Sequence, residues 1–163
     1  MGNIQYKPIN DRYSNDVIDL ILPIQQIEFG VPVTLEDQPD LKNLESFYCQ
    51  SGGNFWGAFD GNTLVGTIAL INTGHRAGAI RKMFVKKEYR GKEFGIAQQL
   101  LTQLLTYSQE QGITDLYLGT VEQLKAAQRF YEKNGFTLIL KADLPAYFPL
   151  MSADNVFYHL HIK

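Results

Sequence analysis

At 163 residues, 45% apolar and 20% charged, the chain has the composition of a folded globular protein, which argues against disorder and against a collagen-like chain. Its net charge of −2 argues against a general nucleic-acid binder, which usually carries a basic excess. A single cysteine, Cys49, rules out an internal disulfide and a Cys-based zinc site, and no apolar run approaches the roughly 18 residues that a membrane span needs. The first residues, MGNIQY, lack the regions of a secretory signal. These features predict one cytoplasmic domain over residues 1–163, with no membrane, nucleic-acid or metal partner.

Ile4 to Ile9 reads as a short strand limited by Pro8. From Asp11 to Phe29 the residues Val17, Leu20, Ile21, Ile24 and Ile27 recur at helical steps, with Ser14 or Asn15 as cap, Pro23 as a kink and Gly30 as the stop. The loop VPVTLEDQPD leads to a second short helix carrying Leu41, Leu44 and Tyr48. Asn54–Phe59 and Thr63–Ile71 flank Asp60–Gly61–Asn62, strong hairpin chemistry. Asn72–Arg76 reads as a polar loop and Ala77–Val85 as the next strand. Gly95–Gln111 is an amphipathic helix with Ala97, Leu100, Leu101, Leu104 and Leu105 in one stripe. Asp115–Thr120 is a strand and Glu122–Asn134 a helix with Ala126, Ala127, Phe130 and Tyr131 inward. Phe136–Lys141 and Val156–Ile162 are the last strands. The order β-α-α-β-β-β-α-β-α-β-β predicts a mixed α/β sheet.

Between strand and helix, IRKMFVKKEYRGKEFGIA combines basic residues with two glycines at a helix N-terminus, a layout suited to an anionic phosphate. A P-loop and a dinucleotide fingerprint are both absent. The run V-x-x-x-Y-R-G-K…G-I-A-x-x-L-L, then DLYLGT, then A-A-x-R-F-Y-E-K-N-G-F resembles the GNAT superfamily of N-acetyltransferases, over Val65 to Phe136 most clearly.

That resemblance implies a single-domain acyl-CoA N-acyltransferase fold whose central strands, Ala79–Val85 and Leu116–Thr120, splay to admit acetyl-CoA. It implies that Met83, Phe84 and Val85 face the pantetheine, and that Arg90, Gly91, Lys92, Glu93, Phe94, Gly95, Ile96 and Ala97 surround the pyrophosphate. The family pattern Q/R-x-x-G-x-G/A, followed by a leucine pair, aligns Gly95 and Ala97 with its small positions and Leu100–Leu101 with the pair. Lys92 then fills the basic slot, and the turn is about two residues longer than the common form. Tyr131 matches the tyrosine that protonates the departing thiolate, a task within reach of a phenol with pKa about 10. Leu124 stands where many relatives carry Asn, so Gln123 or Lys125 would have to supply any polar contact.

Acyl transfer to an amine needs a proton acceptor. The stretch AGAIRKMF holds no carboxylate, so the candidates by topology are Glu28 and Glu122. Arg81 and Lys82, on opposite faces of a regular strand, offer one basic residue to an acceptor bearing a carboxylate or phosphate. His75, His159 and His161 form no convincing metal set. The expected activity is transfer of the acetyl group of acetyl-CoA to a primary amine, small molecule or peptide, in a ternary complex, by a monomer or homodimer. The alternative is a non-catalytic acyl-CoA sensor on the same fold.

Overall fold

The computed structural model describes residues 3–91, 93–151 and 153–162. Seven strands form one mixed sheet: β1 (Ile4–Pro8), β2 (Asn54–Asp60), β3 (Thr63–Gly74), β4 (Ala77–Val85), β5 (Asp115–Thr120), β6 (Thr137–Ile139) and β7 (Val156–His161). Their order is β1-β2-β3-β4-β5-β7-β6, antiparallel except for the β4–β5 pair. Three α-helices pack on it: α1 (Ser14–Pro23), α2 (Ile96–Glu110) and α3 (Lys125–Lys133). The expected mixed sheet and element order are therefore present.

Apolar alternation along the strands divides the core between the two faces of the sheet. Beneath α2 and α3 lie Trp56, Ile68, Leu70, Ile80, Leu116 and Leu118, packed against Leu100, Leu101, Leu104 and Tyr131. The three leucines are fully buried, each contributing about 1.5–3 kcal/mol. On the other face, α1 and the segment after it cover Phe55, Phe59 and Tyr48 through Val17, Ile21, Leu41 and Leu44. The β6–β7 connection covers the rest of that face, with Phe148 against Ala79 and Phe157.

Several boundaries differ from the sequence reading. Asn10, not Ser14 or Asn15, supplies the cap: its side chain accepts from the Arg12 amide at 3.0 Å and starts a 3₁₀ turn over Asp11–Tyr13. Pro23 ends α1, and the chain continues as one wide π turn over Ile24–Glu28 before Gly30, at φ +62°, stops it. The second helix is a 3₁₀ turn (Pro39–Lys42) followed by a π turn (Glu45–Cys49).

The expected loop at Asn72–Arg76 is mostly strand. Only His75 and Arg76 turn the chain, at φ 59° and 58°, a two-residue hairpin whose left-handed geometry usually selects Asn-Gly. Helix α3 begins at Lys125 rather than Glu122, and Ala126 is exposed. β6 keeps only three residues, with Leu138 and Leu140 exposed.

Candidate active site

β4 and β5 pair over four residues only, Ala77–Ile80 with Asp115–Leu118. Past Ile80, β4 has a strand neighbour on its β3 side alone, so the main chain of Met83, Phe84 and Val85 runs along an open gap. A β-bulge sits at the point of divergence, where the β3–β4 register shifts between Thr67 and Ala69. Lys82 carries φ +56°, a left-handed conformation that costs a non-glycine residue about 1–2 kcal/mol. The Thr67 hydroxyl, fully buried, donates to the Lys82 carbonyl at 2.7 Å and holds that conformation.

The bulge overturns the expected alternation of Arg81 and Lys82. One extra residue breaks the two-residue period, and both side chains line the same cavity. Lys82 is buried, hydrogen-bonded to the Gln38 side-chain oxygen and 3.8 Å from the Asp40 carboxylate. The Tyr48 hydroxyl donates to that carboxylate at 2.6 Å. Burial pulls the Lys82 ammonium down to about 8, with Asp40 opposing the shift. Arg81 lies over the Phe47 ring at 5.9 Å, and among the described residues no carboxylate lies within 4.0 Å of its guanidinium.

The cavity, of about 120 Å³, passes through the gap between the strands. Leu124, just before α3, and Ala127 and Tyr131 of α3 line it from one face of the sheet. Phe29, Gln38 and Asp154 line it from the other. The buried Tyr131 hydroxyl has one neighbour of note, the Met83 sulfur at 3.6 Å, a weak acceptor. Burial, with a smaller contribution from Asp154, raises this phenol far above its ordinary value. Leu124 adds an apolar wall, while Gln123 and Lys125 are exposed.

The turn before α2 folds around two glycines in left-handed conformations, Gly91 at φ +125° and Gly95 at φ +61°. The Phe94 and Gly95 amides both donate to the Gly91 carbonyl, at 3.3 and 3.2 Å. Among the described residues the Ala97 and Gln98 amides, in the first turn of α2, have no backbone acceptor and stay available to an anion. Gln98 and Gln99 are exposed while Leu100 and Leu101 are buried. Lys92, the expected phosphate contact, lies outside the described residues.

Arg90 is engaged by Val85 and Glu28. Its Nε donates to the Val85 carbonyl at 2.8 Å, and its Nη2 donates to Glu28 Oε1 at 2.8 Å. The Arg90 bond holds the Glu28 carboxyl below its ordinary value, which makes Glu28 a poorer base. Glu122 is exposed, its amide donating to Asn155 Oδ1 at 3.0 Å, and it does not line the cavity. His159 and His161 both lie on Asp115, at 2.8 and 3.2 Å, and His75 stacks on Tyr147. Sequence reasoning missed Asp154, Gln38 and Asp40. Gln38 and Asp154 sit in irregular segments and Asp40 in a single 3₁₀ turn, where no periodicity announces which side chains turn inward.

Comparison with known proteins gives the geometry a family. The family model described as "Acetyltransferase (GNAT) family" matches residues 18–136. The chain belongs to the GNAT acetyltransferase family. A solved GNAT-family acetyltransferase from Staphylococcus aureus Mu50 superposes with a TM-score of 0.95 at 41% identity, over 99% of this chain and 100% of that one. The PaiA N-acetyltransferase of Thermoplasma acidophilum, solved in complex with coenzyme A, shares the fold at TM-score 0.72 and 20% identity, over 98% of this chain and 99% of that one. Among curated relatives, rat N-acetyltransferase 8F1 is 29% identical over 102 residues, 60% of this chain and 45% of its own length. The chain thus spans about half the length of the curated relatives it matches. Members of this family transfer acetyl groups from acetyl-CoA. No helix among the described residues is long and apolar enough to cross a membrane.

Proposed function

We propose that this GNAT chain, acting as one domain, transfers the acetyl group of acetyl-CoA to a primary amine by direct attack in a ternary complex. The observation that carries the reading is the cavity through the β4–β5 gap, with Tyr131 on one face of the sheet and Arg81 and Lys82 on the other. The pantetheine takes the vacant edge of β4 along Met83, Phe84 and Val85, as an added strand would. The pyrophosphate sits at the start of α2, where free amides and the helix dipole favour an anion and two glycines let the backbone approach. The thioester then reaches the gap, and Tyr131 donates its proton to the departing sulfur. Rate comes chiefly from holding amine and thioester together.

The acceptor enters from the face that carries Arg81 and Lys82. Two cations there, one without a carboxylate partner among the described residues, favour an amine that also bears a carboxylate or phosphate. Release of free thiol from acetyl-CoA across a panel of acidic, neutral and basic amines tests both statements. Preference for acidic amines supports the acceptor class, and an exclusive preference for polyamines ends it. Tight acetyl-CoA binding with no thiol released by any amine would favour the non-catalytic sensor instead.

A further inference from the structure

We infer that Asp154, on the connection between β6 and β7, is the base that takes the proton from the acceptor amine; the inference rests on the acetyl-transfer reading above. Asp154 lines the same cavity as Tyr131, Arg81 and Lys82. Its carboxylate sits on the bare backbone of Gly119, where a Cβ would come within 2.5 Å of Oδ2. Gly119 is the first residue of β5 beyond its last pair with β4, so the carboxylate stands where the strands part.

The segment holding Asp154 is pinned at this position. The Asp154 amide donates to the Met151 carbonyl at 3.1 Å, and the Asn155 amide donates to the Thr120 carbonyl at 2.9 Å. The Asn155 side-chain oxygen in turn accepts from the Glu122 amide, fixing the connection to the end of β5. Yet among the described residues no group hydrogen-bonds the Asp154 carboxylate, and no cation lies within 4.0 Å of it. A partly buried, unpaired carboxylate on a rigid seat is costly to keep and suited to accepting a proton. Glu28, tied to Arg90, and the exposed Glu122 lack that combination.

The titratable groups facing Asp154 are Arg81 and Lys82 from β4, with Asp40 behind Lys82, and Tyr131 from α3. Burial pushes the Asp154 carboxyl up to about 6, while Arg81 and Lys82 pull it back. It is therefore ionised at neutral pH and basic enough to accept a proton. The ammonium gives one proton to Asp154, which passes it to solvent. The neutral nitrogen attacks the thioester carbon, forming the C–N bond, and the C–S bond breaks as the tetrahedral intermediate collapses. Tyr131 protonates the thiolate and is reprotonated through solvent by the second proton shed from nitrogen.

The test is Asp154→Asn, assayed for thiol release with a responsive amine from acid to alkaline pH, beside acetyl-CoA affinity by calorimetry. The expected result is a loss of about a hundredfold in kcat, an unchanged acetyl-CoA Kd, and disappearance of the acid limb that wild type shows near pH 6. Asp154→Glu keeps a carboxylate and should retain the acid limb at a reduced rate. Wild-type turnover in Asp154→Asn, a surviving acid limb in it, or a flat profile in Asp154→Glu would overturn the assignment. Loss of acetyl-CoA affinity in step with turnover would also overturn it, by making Asp154 a support of the cleft. Failure of the transfer reading looks different: wild type itself then releases no thiol with any amine.

Discussion

Tyr131 and Asp154 approach one cavity from opposite faces of the sheet, and burial raises both in pKa with opposite consequences. For the phenol, the shift keeps the hydroxyl protonated at any working pH but makes it a weaker acid than a free phenol, a cost the proposed transfer to a thiolate must meet. Tyr131→Phe should lower kcat by about a hundredfold and leave acetyl-CoA affinity nearly unchanged, measured by steady-state kinetics and calorimetry. Because Met83 sulfur is a weak partner, the fold should scarcely notice the missing hydroxyl. For the carboxylate, the shift is a stability cost. Between its ordinary 3.8 and about 6 the folded chain holds a proton that the unfolded chain has released, so stability falls as pH rises through that window. Above it the full penalty is present, roughly 3 kcal/mol. Asp154→Asn should therefore resist urea better than wild type by about that amount at pH 7.5, with the difference vanishing in strong acid.

At the scale of elements, the bulge in β4 decides how the site is furnished. Thr67→Val removes the hydroxyl that anchors the Lys82 carbonyl and leaves a buried acceptor unpaired. Urea unfolding should show a loss of about 1–3 kcal/mol, and KM for the amine should rise as Arg81 and Lys82 lose their joint orientation. This element also marks where sequence reasoning stopped. Ala77–Val85 reads as a strand from its apolar run, and the YRGKEFGIA turn and FYEKNGF helix announce themselves through glycine, charge and periodicity. A bulge at Lys82 has no such signature, because neither Arg81 nor Lys82 is a residue that favours φ above zero. The His75–Arg76 turn escaped for the same reason. Asp154 escaped because its place depends on where a long irregular connection folds back, which is fixed by Phe148 and by Asn155 pairing with β5, not by local pattern.

Across the whole molecule, the Arg90–Glu28 pair joins the segment after α1 to the turn before α2. If Arg90 serves the pyrophosphate, Glu28 competes with it for the guanidinium. Glu28→Gln should then tighten acetyl-CoA binding by up to about fivefold and make it more sensitive to salt, read by calorimetry at two ionic strengths. An unchanged affinity would assign Arg90 to bracing the turn alone.

The short β4–β5 seam has a mechanical consequence. Among the described residues, the β1–β4 side of the sheet meets the β5–β7 side over four ladder pairs, with the Thr114 and Asp115 amides adding bonds to the Arg76 carbonyl at the closed end. An extended ligand lying along β4 would add rungs to a ladder that the polypeptide leaves unfinished, so a coenzyme seated there would work as a stitch as well as a donor. Saturating acetyl-CoA at a hundred times its Kd should add about 2.7 kcal/mol to the unfolding free energy. Its footprint in amide exchange should fall along Met83–Val85 and Gly119–Val121, slowing the seam first and the distant β1 edge least. A sheet left open at its centre trades cohesion for a place where chemistry can pass from one face to the other.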